Sequence, residues 1–137
     1  MPERNAAKDR AAILEKNQGY AVAVRPAAKR IKVLAGGKVI ADTERALELD
    51  ESYHQPVYYL PEADVCMDAL ASTPHKTYCP FKGTASYWSI QTEKGVLENA
   101  VWSYEDPLPE VTEIAGYLAF YLDKVEEWVE RSQGKVR

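Results

Sequence analysis

Two adjacent glycines, Gly36-Gly37, constrain this chain more than any other feature. They lie between Arg30-Ile31-Lys32-Val33-Leu34-Ala35 and Lys38-Val39-Ile40-Ala41, two short runs in which β-branched and apolar residues are interleaved with charged ones. A pair of glycines supplies the two positive φ angles that a tight primed turn needs, and such a turn matches the twist of the strands it joins. The segment therefore predicts an antiparallel hairpin, with Val33 opposite Ile40 and Leu34 opposite Val39. A hairpin has one apolar face to cover, so further strands are required.

The sequence offers them. Tyr20 to Val24 reads as an edge strand closed by Arg25-Pro26, and Glu44 to Leu49 as a strand with Arg45, Leu47 and Leu49 on one side. An arginine on an apolar side must find an acceptor, and a structural salt bridge is the plainer account of Arg45, ahead of anion recognition. Val57-Tyr58-Tyr59-Leu60 is a strand by composition, stopped by Pro61, and Pro61-Glu62-Ala63-Asp64 is a proline-led helical turn. Thr84 to Ile90 has the hydroxyl and aromatic content of a strand, and Glu93-Lys94-Gly95 closes a three-residue hairpin. That loop sets Trp88 opposite Ala100, Ser86 opposite Trp102 and Thr84 opposite Tyr104. Residues 5 to 16 form a short N-terminal helix ended by Asn17-Gln18-Gly19, so residues 1–19 are an arm or helix and 20–137 a β-rich domain. Ile114, Leu118, Tyr121, Val125 and Trp128 recur at helical spacing, yet Gly116 to Tyr121 is also a credible buried strand.

The densest chemistry lies in Pro74 to Trp88, which gathers a thiol, an ammonium, an imidazole and several aromatics. Pro80 fixes its own φ and extends Cys79, and Gly83 opens a positive angle, so a shaped turn feeds the next strand. Cys79 has Lys82 three residues on and His75 four back, either of which would favour a thiolate nucleophile. A lone cysteine is more often a small buried hydrophobe. Asp64, Asp68, Glu105 and Asp106 are the acids available to a metal-dependent nucleotidyl transfer, but no phosphate-loop spacing accompanies them. Cys66, Cys79, His54 and His75 are the only soft ligands, and none are paired at zinc-site spacing, so no metal and no cofactor are expected.

Eight tyrosines and tryptophans fall between Tyr53 and Tyr104. A core built from Leu, Ile and Val needs few buried polar tips, so this excess points to a pocket. Tyr58, Tyr87, Trp102 and Tyr104 are its stacking surfaces, with Arg45 and Lys82 as charge partners for a small anionic or ring-bearing ligand.

Composition sets the outer limits. At 137 residues the chain buries roughly two-thirds of its unfolded surface without staples, and two cysteines make no disulfide framework. No apolar run reaches the roughly 18 residues of a membrane span, and the first 20 residues lack the apolar centre of a secretory signal, so a cytoplasmic protein without a membrane partner is expected. Nine of the basic residues precede Val39 against three acids, but without interleaved aromatics, so a solvated surface is expected there and not a nucleic-acid partner.

Four ordered segments carry a resemblance. These are Val57-Tyr58-Tyr59-Leu60-Pro61 with Asp64-Val65; Thr77-Tyr78-Cys79-Pro80-Phe81-Lys82-Gly83 with Ala85-Ser86-Tyr87-Trp88; Trp102-Ser103-Tyr104-Glu105-Asp106-Pro107; and Ile114 to Tyr121. Over about residues 20 to 125 the chain resembles the domain of unknown function 427 family, bacterial and fungal domains sometimes catalogued as nucleotidyltransferase-like. The resemblance implies a mainly β domain of antiparallel hairpins related to the β-tent, or Mss4-like, fold. It lacks the Cys-x-x-Cys zinc knuckles of several relatives of that fold. It favours the strand reading of Gly116 to Tyr121 and confines a C-terminal helix to Asp123 to Arg131. It supplies no reaction. The expectation is a binding domain for a small molecule. The alternatives are an enzyme using Cys79 or a nucleotidyltransferase-like activity, and a self-association module in which an exposed sheet edge pairs two copies into a homodimer.

Overall fold

The computed structural model describes residues 12–16 and 18–132. Among the described residues ten strands form three antiparallel sheets, ordered β1-β4-β5, β10-β2-β3 and β6-β7-β8-β9. The strands are β1 (Val22–Pro26), β2 (Lys29–Ala35), β3 (Lys38–Thr43), β4 (Leu47–Glu51), β5 (Val57–Tyr59), β6 (Leu70–Cys79), β7 (Gly83–Thr92), β8 (Gly95–Ser103), β9 (Leu118–Phe120) and β10 (Glu127–Ser132). Short 3-10 turns cover Glu62–Asp64, Met67–Ala69 and Pro109–Ile114. Residues 12–16 are helical, and the rest of the expected N-terminal helix lies outside the described residues. The chain is mainly β, as the hairpin signals require.

The glycine hairpin forms between β2 and β3, with Gly36 and Gly37 at φ of 59° and 77°. Leu34 does face Val39, but a bulge between Val33 and Leu34 sets Val33 opposite Ala41, so Ile40 is the extra residue. Ile31, Val33 and Ala35 alternate inward while Arg30 and Lys32 face out. The second hairpin departs further from expectation. Its loop has two residues, Glu93 and Lys94, because Thr92 and Gly95 already pair. A register shift between Trp88 and Ile90, with Asn99 at φ 49°, then puts Tyr87 opposite Trp102 and Trp88 opposite Val101. Trp102 therefore shares a face with Tyr87 and not with Trp88.

Two other expectations are corrected. Asp123 to Arg131 holds no helix: Glu127–Ser132 is strand β10, which pairs antiparallel with β2 from Glu127↔Leu34 to Ser132↔Lys29. The free edge of β2 offers that segment a full ladder of hydrogen bonds, and Trp128 and Val129 have the side chains a pleated surface accepts. Arg45 does not lie within a strand, since β4 begins at Leu47. Thr43 Oγ1 accepts the Arg45 N–H at 2.9 Å, closing a turn there instead.

The core has two parts. Ile31, Val33, Ile40, Leu60, Ile90, Val101 and Leu118 form one, between the β10-β2-β3 sheet and the four-stranded sheet. Leu49, Tyr59, Tyr87, Tyr104, Val111 and Ile114 form the other, between the β1-β4-β5 sheet and the same four-stranded sheet. A reciprocal pair of hydrogen bonds between Leu60 and Leu118, at 2.7 and 2.8 Å, joins the end of β5 to the start of β9.

Candidate functional site

The predicted site residues are not gathered in one place. Cys79-Pro80-Phe81-Lys82 makes the expected turn, the Lys82 N–H donating to the Cys79 carbonyl at 3.2 Å, and Gly83 leaves it at φ 116°. Lys82 then turns inward. Its ammonium donates to Glu51 at 2.5 Å, with the two side chains only 12% and 9% exposed, and the Tyr20 hydroxyl donates to the other oxygen of Glu51. Burial alone would raise the Glu51 carboxyl, but the hydrogen bonds from Lys82 and Tyr20 outweigh it and hold the group below the usual carboxylate range. Burial and the Glu51 charge push the Tyr20 phenol well up. Tyr20 stacks on Phe81 with ring centroids 4.2 Å apart, so the network clamps the turn against β4.

Arg45 is on another surface. Its guanidinium grips Asp64 through two bonds of 2.8 and 3.1 Å, and Thr43 donates to the same carboxylate at 2.7 Å. The structural salt bridge is thus the state of Arg45, with its side chain 64% exposed beside a polar cavity of about 430 Å³ shared with Arg30 and Asp42. Glu105 and Asp106 line a separate groove with Tyr78 and Thr84, so the candidate acids do not converge on Asp64. Cys79 is half-buried against the tyrosine-rich core. Of the neighbours suggested as its activator, Lys82 is taken by Glu51, and the exposed His75 ring lies edge-on to Tyr87 at 4.5 Å.

The aromatics divide as well. Tyr87 and Tyr104 are buried core residues. Tyr87 passes hydrogen bonds between Thr77 at 2.9 Å and Tyr121 at 3.4 Å, and burial pushes the Tyr104 phenol well up. Tyr58 and Trp102 do meet, across a cleft of about 500 Å³ bounded by Gln55, Pro56, Val57, Phe120, Tyr121, Leu122, Trp128 and Glu130. That volume lies in the range of small-molecule sites. Each wall follows from a strand. Tyr58 lies on β5, Trp102 on β8, Phe120 ends β9, and Trp128 and Glu130 stand two apart on β10 and share its face.

The rings pack at tilted angles, Trp102 on Tyr121 at 4.5 Å and Tyr58 by Trp128 at 6.2 Å. The Trp102 indole donates to the Tyr59 hydroxyl at 3.3 Å, which fixes that ring from behind. Burial, with a hydrogen bond to Tyr87, pushes the Tyr121 phenol up to about 12. At one side the Lys29 ammonium donates to Tyr58 Oη at 2.9 Å and Glu130 Oε1 at 2.8 Å, while Trp128 Nε1 donates to Glu130 Oε2 at 2.8 Å. Burial would raise the Glu130 carboxyl, but the bonds from Lys29 and Trp128 hold it low, and the bonds to Glu130 and Tyr58 raise the Lys29 ammonium.

Sequence reasoning missed Lys29, Tyr121, Trp128 and Glu130. Tyr121 and Trp128 carry a signal in ring chemistry, but a strand over Gly116 to Tyr121 and a helix over Asp123 to Arg131 assign them to separate elements. Lys29 and Glu130 are 101 residues apart, and no local pattern announces their pairing.

Among the described residues no helix is long and apolar enough to cross a membrane. A family model described as a domain of unknown function (DUF427) matches residues 23–131. No curated protein is matched by the chain.

Proposed function

Since the chain belongs to the domain of unknown function 427 family, whose description names no reaction, we propose from the site itself that it binds a small, flat, ring-bearing molecule in the cleft between β5, β9 and β10. The observation that carries this reading is the meeting of Tyr58, Trp102, Tyr121 and Trp128 around about 500 Å³ of open space. Aromatic walls reward a planar ligand through apolar burial and offset or edge-on ring contacts, without a covalent step. Arg45 and Lys82 leave the proposed binding set, because each is committed to an internal carboxylate.

The reading is tested with a set of flat bicyclic aromatics of mixed charge, followed by thermal shift and by tryptophan fluorescence, since Trp102 and Trp128 both border the cleft. At least one member should raise the melting temperature, and Trp128→Ala should weaken it tenfold or more, while Cys79→Ser should leave binding unchanged. Loss of binding on removing the Cys79 thiol alone, or no binding by any member at millimolar concentration, would overturn the proposal.

A further inference from the structure

The charge on the cleft wall specifies the ligand more closely than the rings alone do. Of the described residues that line the cleft, Glu130 alone is charged, beside the rings of Tyr58, Trp102, Phe120, Tyr121 and Trp128. A carboxylate offers about four lone-pair positions. Glu130 uses one on each oxygen, Oε1 accepting from Lys29 and Oε2 from Trp128 Nε1, both at 2.8 Å, so each oxygen keeps a position open. The side chain is 32% exposed, which leaves those positions within reach. Lys29 does not line the cleft, and it does not cancel the charge there. Glu48 pairs opposite Tyr58 across β4 and β5 and shares Arg25 with Asp50, at 2.7 and 3.1 Å, so three carboxylates stand against two cations around this wall. The rings add to the negative side. An aromatic face is the negative part of its quadrupole, and indole attracts a cation most strongly. The Trp128 N–H bond to a carboxylate polarises that ring in the same sense. Lys29 Nζ lies 4.9 Å from the Tyr58 ring centroid and Lys124 Nζ 5.6 Å from that of Tyr121, but among the described residues no side-chain cation lies over either cleft indole.

We infer that the ring-bearing ligand is a small organic cation, whose ammonium donates to the open positions of Glu130 and lies against an indole face while its ring fills the space toward Trp102 and Tyr121. This rests on the cleft being a ligand site. An ammonium meets attraction from both the carboxylate and the ring faces, and its N–H bond to a carboxylate is charge-assisted. A neutral alcohol makes the hydrogen bond without the charge. An anion is repelled by Glu130 and by the ring faces alike. The sign is opposite to the one Arg45 and Lys82 suggest in the sequence, because both of those cations lie outside the cleft and are committed to their own carboxylates. Lys29 opposes the ligand's charge from beside Glu130, so removing it and removing Glu130 act in opposite directions.

Calorimetric titration of the whole chain with 2-naphthylmethylammonium, 2-naphthylmethanol and 2-naphthoate tests the inference. The ammonium should bind about tenfold tighter than the alcohol, and the acid should bind weakest of the three. Glu130→Gln keeps the size of the side chain and an acceptor oxygen while removing the charge, so it should cut the ammonium-to-alcohol ratio to about twofold. Lys29→Gln keeps a donor for Glu130 and removes the opposing charge, so it should widen that ratio by about threefold, and it reads the same charge should Glu130→Gln fail to fold. A substitution that acted only through the fold would move ammonium and alcohol together. An alcohol that binds as tightly as the ammonium, an acid that binds tightest, or a ratio unmoved by both substitutions overturns the cation and leaves the cleft as a ring site. Absence of binding by all three, with no tryptophan fluorescence change, overturns the cleft reading itself.

Discussion

Lys82 illustrates how a residue chosen for its chemistry can turn out to hold the fold. Its ammonium and the Glu51 carboxylate are nearly buried together, and Tyr20 supplies the carboxylate with a second partner. A buried pair is strongly destabilised by removing one member, because the survivor keeps its charge and loses its compensation, whereas removing both is far milder. Lys82→Met should therefore cost about 3–5 kcal/mol, Glu51→Gln a similar amount, and the double variant much less than their sum, as urea unfolding of the four proteins will show. Glu51 also fixes an acid limb. Its folded carboxyl titrates below the unfolded one, so its contribution is whole above the unfolded value near 4.3 and is lost as pH falls through the lower folded value. Denaturation curves from pH 6 to pH 2 should lose part of that slope in Glu51→Gln. Ser103 poses the opposite case: its hydroxyl is fully buried on β8 without a hydrogen-bond partner among the described residues. Ser103→Ala should leave stability unchanged or raise it by about 1 kcal/mol, since it removes an unsatisfied polar group from the interior.

At the scale of elements, the sequence spoke clearly where a local rule was strong enough to act alone. Gly36-Gly37 and Pro80 did so, and so did Pro61 after Val57 to Leu60, because each restricts a backbone angle whatever surrounds it. Asn99 did not. An asparagine only tolerates a positive φ, so nothing in Glu98-Asn99-Ala100 announced the irregularity that moves Trp102 onto the face of Tyr87. β10 was hidden for another reason: Ile114, Leu118, Tyr121, Val125 and Trp128 fall at helical intervals, yet they belong to a 3-10 turn, a strand, the loop after it and a second strand. Periodicity across element boundaries carries no information about any one of them. Gly36 shows that even a legible turn has tertiary content. A Cβ there would lie 2.5 Å from Thr92 Cβ, in the other hairpin, and Thr92 is tied into its own turn by a 2.7 Å bond to the Gly95 carbonyl. Gly36→Ala should thus cost more than the roughly 1 kcal/mol of a left-handed alanine, about 2–3 kcal/mol in urea midpoints. Thr92→Ala should not rescue it, because the contact is with Cβ itself.

At the scale of the molecule, the cleft belongs to no single sheet. Tyr58 comes from the β1-β4-β5 sheet, Trp128 and Glu130 from the β10-β2-β3 sheet, and Trp102 and Phe120 from the four-stranded sheet. That is why only Tyr58 and Trp102 of the site were legible: their neighbours arrive by strand pairings that depend on the whole fold. β10 is an edge strand, paired with β2 and mostly exposed on its far half. An edge strand with few buried contacts opens more readily than the core. A ligand that touches all three sheets stabilises only the closed arrangement, and at a hundredfold excess over Kd it adds about 2.7 kcal/mol against global unfolding. Hydrogen exchange should then slow most at the amides of Trp128 to Glu130 and of Tyr58, and little in the β6-β7 hairpin, none of whose residues line the cleft. Uniform slowing would mean that β10 opens only with the entire molecule, whereas slowing confined to the Arg30, Asp42 and Arg45 surface would move the binding site to the polar cavity there.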